Sequence, residues 1–123
     1  MSDLLSIEAL RLSLNMAATQ QRLSLENVAN HSTSTQGSQR ADFASLLQGL
    51  EGISSDQKQQ VMSQLSSNWH TVEGHYIHQS DKKASLDEEV ALSMKASGQY
   101  QKLVEVLNRK IGLMNLAVSG GKR

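Results

Sequence analysis

Between residues 3 and 30 the apolar positions fall into two rows rather than one. Placed at about 100° per residue, Ile7, Leu10, Leu14, Ala17, Leu25 and Val28 share one arc. Leu5, Ala9, Leu12, Met16 and Leu23 share a second arc on nearly the opposite side, and polar side chains fill the gaps. No glycine or proline interrupts the stretch, so the pattern predicts one long helix. An ordinary surface helix carries a single apolar stripe, so two stripes predict two partners.

The C-terminal segment repeats the design. Ser85 and Glu88 stand in the S-x-x-E spacing of a capping box. Val90, Ser97, Val104, Leu107, Ile111, Met114 and Val118 then recur at three, four or seven residues. Leu92, Ala96, Leu103, Val106, Leu113 and Ala117 form a second, offset row. Gly120 and Gly121 are the expected stop, and Lys122 and Arg123 suit the negative end of the helix dipole. One row on each helix can satisfy the other helix, with Ile7, Leu14, Val104 and Ile111 in the buried seam. The remaining rows find no internal cover in this reading. They imply association with further subunits and an isolated chain that folds weakly.

The middle is less regular. Asp42 to Leu50 reads as two helical turns bearing Phe43, Leu46, Leu47 and Leu50. Ser54 and Gln57 open another short helix with Val61, Met62 and Leu65. Residues 69–78 alternate loosely and are expected to be extended, while 31–41 and 79–84 read as polar loops. Gly37 is the place expected for any sharp bend in the first loop. The organisation is thus an N-terminal helix over 1–30, a linker and variable middle over 31–84, and a C-terminal helix over 85–123.

Composition narrows the classes. Apolar residues are 38% and aromatic residues 3% of 123, a thin supply for an autonomous core. Twelve basic and twelve acidic residues cancel, which argues against nucleic acid and against electrostatic attachment to an anionic membrane. No cysteine is present, so disulfides and thiolate metal sites are excluded. No run reaches the roughly 18–20 apolar residues of a membrane span. The start, MSDLLSIEAL, lacks a basic region and is not read as a cleavable secretory signal.

Candidate chemistry is sparse. His70, His75 and His78 with Glu73 supply zinc-type ligands, but in no recognised spacing, and a polar hinge is the plainer reading. Asp87, Glu88 and Glu89 belong in the first turn of a helix, where carboxylates oppose the dipole. No nucleophile–base arrangement is recognisable. No cofactor, no metal and no enzymatic activity are expected.

The two ends together resemble the proximal-rod (FlgB-type) family of flagellar basal-body rod proteins. Asn27, Val28, Ala29 and Asn30 match the family's N-[IV]-A-N motif, followed by Thr33 and the Asp42–Phe43 pair. Asp87 and Glu89, then Tyr100 and Gln101, then LVEVLNRKIGLMNLAV match its C-terminal helix. Ser34, Thr35 and Gln36 stand where the family prefers Pro, Gly and an aromatic. The likeness spans roughly residues 5–43 and 85–121.

The resemblance implies an all-α fold with long N- and C-terminal helices packed as a coiled-coil-like pair around a less regular middle. Such a chain is a structural subunit of a helical tube that transmits motor torque. It implies export unfolded through the flagellar type III apparatus, without signal cleavage, to the periplasmic rod of the basal body. The implied partners are other copies of the chain, other rod proteins, and export-gate and MS-ring-adaptor proteins, with no nucleic acid and no direct membrane span. The expected assembly interface is Ile7, Leu10, Leu14, Leu25 and Val28 with Val104, Leu107, Ile111, Met114 and Val118. A cytoplasmic helical adaptor or secretion chaperone is the alternative; it would use the same rows to form a stable soluble dimer.

Overall fold

The structure, a computed structural model, describes residues 2–33 and 35–121. The features expected at Ser34, Lys122 and Arg123 lie outside the described residues.

Two long helices dominate. Helix α1 runs Ser2–Asn30, with no glycine or proline to break it. Its end is closed by backbone and hydroxyl bonds from Thr33 to the Asn30 carbonyl (3.2 and 3.4 Å). No described residue other than glycine has positive φ, so Asn30 ends the helix without the left-handed backbone that asparagine permits. Strand β1 spans Gln39–Ala41, helix α2 Ala44–Leu50, helix α3 Ser55–Ser67 and helix α4 Trp69–Val72. A 3-10 turn over Glu73–Tyr76 leads into strand β2, Ile77–Gln79, and helix α5 covers Leu86–Gly121. Helix α5 therefore passes through Gly120, which was expected to stop it.

The short helices start where their side chains allow. The Asp42 carboxylate accepts from the Ala44 N–H (3.0 Å) ahead of α2. Ser54 and Gln57 form a reciprocal capping box on α3. Ser85 accepts from the Glu88 N–H (3.1 Å) at the start of α5. Between α2 and α3 the chain turns at Gly52, with φ +81°.

Three readings of the middle are corrected. Residues 69–78 are mostly helical, and only Ile77–Gln79 is extended. The segment 31–41 is not a plain loop, because β1 pairs antiparallel with β2, Gln39 opposite Gln79 and Ala41 opposite Ile77. The fold is thus mainly helical, with the two long helices packed against each other and a small two-stranded ribbon in the middle. Gly37 does not bend the chain through positive φ; it permits close approach. A Cβ there would stand 1.7 Å from the Ser80 carbonyl oxygen, beside the bond from Ser80 N–H to the Ser38 carbonyl (2.8 Å). Gly37→Ala should therefore cost about 1–3 kcal/mol through overpacking against backbone. Urea unfolding would measure it, and an unchanged midpoint would show that the two strands separate freely.

The middle is also where the core sits. Leu12 of α1 packs with Phe43, Leu46, Met62 and Trp69, all buried, and Leu5, Ala9 and Met16 border the cluster. The rings of Trp69 and Tyr76 lie 5.6 and 5.7 Å from that of Phe43. The second apolar row of α1 thus has internal cover, contrary to the sequence reading. Nearly the whole aromatic supply is spent on it.

Helix α5 packs antiparallel on α1. The buried side chains along their contact are mostly small: Ala17 and Ser24 from α1, Ser93 and Ala96 from α5. Small residues let the axes come close, and the bulkier ones are displaced to the flanks. Ile7, Leu14 and Val104 are accordingly half-buried, and Ile111, expected in the seam, is 40% exposed. At 36 residues against 29, α5 is the longer helix, and Leu113, Leu116 and Val118 near its end are 59–69% exposed. Weak folding is therefore expected of the distal part of α5 alone. Amides beyond about residue 106 should exchange with solvent much faster than those of 89–103. Hydrogen exchange read residue by residue would show it, and uniform protection along α5 would refute it.

Candidate functional site

Two arrangements arise from this fold: a polar clamp joining α1, β1 and α5, and an apolar outer face along the two long helices.

The clamp is centred on Asn27, three residues before the end of α1. Its side-chain amide donates to the Gln39 carbonyl (2.9 Å) and accepts from the Gln39 N–H (3.0 Å), as a neighbouring strand would. The same amide donates to the Glu89 carboxylate (2.9 Å). Glu89 is fully buried, and its other oxygen accepts from the Arg40 guanidinium. A buried carboxylate is costly unless paired and hydrogen-bonded, and here both oxygens have partners. Asn27 and Glu89 lie 62 residues apart in the chain, and both belong to the motifs on which the resemblance rests.

The other motif residues divide. Phe43 is in the core, and the Asp42 carboxylate accepts from the Ala44 N–H ahead of α2 while the Asp42 N–H bonds to the Tyr76 carbonyl (2.7 Å). Ala29, Asn30, Asp87, Tyr100 and Gln101 are exposed.

A second polar network fastens the middle to α1. The Thr19 hydroxyl, buried, accepts from the Trp69 indole N–H (2.8 Å) and donates to Glu73 (2.7 Å). Arg22 donates to Glu73 and to Glu26, both at 3.0 Å. Burial works against the Arg22 charge, but the hydrogen bonds and charges of Glu26 and Glu73 outweigh it and raise its pKa above the ordinary value. Sequence reasoning missed this network. Glu73 drew notice only as a possible metal ligand, and nothing local pairs Thr19 with residues 50 and 54 positions away. His70, His75 and His78 are exposed, and the described residues contain no group of three or more His, Cys, Asp or Glu placed to hold a metal ion.

The outer face is built from the first row of each helix. On α1, Ile7, Leu14, Gln21 and Val28 recur every seven residues, with Leu25 between the last two. This row stands about 180° around the helix from the Leu5–Leu12–Met16 row that the core covers. On α5, Val90, Ser97, Val104, Ile111 and Val118 recur at the same interval. They stand about 140° from Leu92 and Gln99, which border β1. Because the helices run antiparallel, the two rows flank one side of the pair, away from the middle segment. Leu25 is 51% and Val118 59% exposed, while Leu10, Val28, Leu107 and Met114 are half-buried. Leu107 and Met114 point closer to α1 than to the outer face.

No family model matches the chain, and neither a curated protein nor a solved structure matches it. Among the described residues no helix is long and apolar enough to cross a membrane.

Proposed function

We propose that the chain is a structural axial subunit of the FlgB type, built into the proximal rod of the bacterial flagellar basal body. The observation that carries this reading is the outer face. Two antiparallel helices present rows at seven-residue intervals that are apolar but for Gln21 and Ser97, and the core of the middle segment packs on the opposite side of α1. Helices so patterned are suited to pack against helices of neighbouring subunits, knobs into holes. The clamp supports the same reading, since motif residues of the two ends meet in it and fix α1 against α5.

In this proposal Ile7, Leu14, Leu25 and Val28 with Val104, Ile111 and Val118 meet other subunits. Asn27, Arg40 and Glu89 hold the pair in register and take no part in chemistry. The polypeptide is exported without a cleaved signal and acts in the periplasm, without cofactor or enzymatic activity.

The core around Trp69 favours one second reading, a cytoplasmic adaptor or secretion chaperone, because it supports a folded chain in solution. Deletion of the coding sequence, with fractionation of the tagged chain, separates the two. The rod reading expects loss of swimming and recovery of the chain in purified basal bodies. Swimming cells, or a chain confined to the cytoplasm as a soluble dimer, would overturn it.

A further inference from the structure

On the side of the helix pair that faces β1, two cavities of about 350 and 450 Å³ adjoin. They share Gln20 and Gln99, so they form one groove between α1 and α5. Its apolar lining includes Met16, Ala17, Leu23, Leu92, Ala96 and Leu103. From Leu92 to Leu103 it runs about 17 Å along α5 at 1.5 Å per residue, the length of three helical turns. Of the first row of α1 only Ala17 lines it; Ile7, Leu14, Leu25 and Val28 do not.

The charge along this groove has one sign. Lys95 and Lys102 line it, Arg40 beside them is already paired with Glu89, and no aspartate or glutamate is in the lining. Lys95, Lys102 and Arg109 recur every seven residues along the exposed edge of α5. All three are exposed, and among the described residues none of them has an ion pair or hydrogen bond. Glu105 stands one turn from Lys102 and from Arg109, beyond that edge and away from the groove. A basic row beside an apolar floor, both at helical spacing, complements a helix with an apolar row flanked by carboxylates.

We infer that this groove binds an amphipathic α-helix of another protein, with acidic residues spaced to meet Lys95, Lys102 and Arg109. A second copy of this chain does not fit. Its α1 carboxylates Glu8 and Glu26 already pair with Arg11 and Arg22, and no helix here carries acids at seven-residue intervals. The inference does not rest on the axial role, since it concerns the other side of the pair.

The test uses the full chain and two labelled synthetic helices, each with a leucine row, one flanked by glutamates and the other by lysines. Fluorescence anisotropy should show the glutamate helix binding at least about tenfold more tightly, with the preference weakened by salt. Lys95→Glu combined with Lys102→Glu and Arg109→Glu should reverse the preference. Because these side chains are exposed, the far-UV circular dichroism spectrum should be unchanged. If the triple variant loses helix, Lys102→Gln alone should still weaken the glutamate helix. Equal binding of the two helices, or binding of neither, overturns the inference. A dimer of the chain itself that the triple variant abolishes also overturns it, by naming a second copy as occupant.

Discussion

Arg40→Ala should destabilise the fold by about 3–5 kcal/mol, the range for removing one member of a buried ion pair. The variant leaves Glu89, with no solvent exposure, to a single hydrogen bond from Asn27. The reverse change is milder, because the Arg40 side chain is 31% exposed and reaches water once released. Glu89→Gln keeps an acceptor for Asn27 or Arg40, so about 1–2 kcal/mol is expected. A joint Arg40→Met and Glu89→Leu variant should recover most of the Arg40→Ala loss, since apolar replacements of buried pairs are often near neutral. Urea denaturation of the three variants gives the ordering. Equal costs for Arg40→Ala and Glu89→Gln would show that the carboxylate reaches solvent without its partner.

Trp69→Ala should cost a similar amount, about 3–5 kcal/mol, as a large-to-small change in a packed core. Trp69 is 6% exposed and belongs to the buried cluster that joins α1 to the middle segment. Its indole also satisfies Thr19, which in turn holds Glu73. Trp69→Phe retains most of the apolar area and loses the indole N–H, so about 1–2 kcal/mol is expected. Denaturation followed by circular dichroism would report both variants. A loss below about 1 kcal/mol for Trp69→Ala would mean that the middle segment does not hold α1 in solution.

Both predictions depend on contacts that the sequence did not display. The long helices were legible because two apolar periodicities, the Ser85 cap and the lack of breakers all agreed. The Ser54–Gln57 box was legible for the same local reason. Less visible was the choice among rows. Leu12 and Leu14 stand in opposite rows of equally apolar character, yet of the two only Leu12 belongs to the buried cluster of Phe43 and Trp69. The seam was misread because large residues were expected inside, whereas Ala17, Ser24, Ser93 and Ala96 allow closer helices. Gly37 looked like a bend because glycine is usually read through φ. The reason for it is the Ser80 carbonyl, more than forty residues away. Asn27 and Glu89 were visible as motif members, but their direct bond and their further bonds to Gln39 and Arg40 depend on the placement of β1.

The central claim is that the outer face of the helix pair is a surface for assembly rather than part of the fold. Leu25→Asp tests it most directly, because Leu25 is already 51% exposed and its replacement should change folding stability by within about 0.5 kcal/mol. A carboxylate buried unpaired between packed subunits costs far more than that. Introduced into the organism that encodes the chain, the variant is measured for incorporation into purified basal bodies, with its thermal melt as the control. The account predicts an unchanged melt and no incorporation; normal incorporation with an unchanged melt would contradict it.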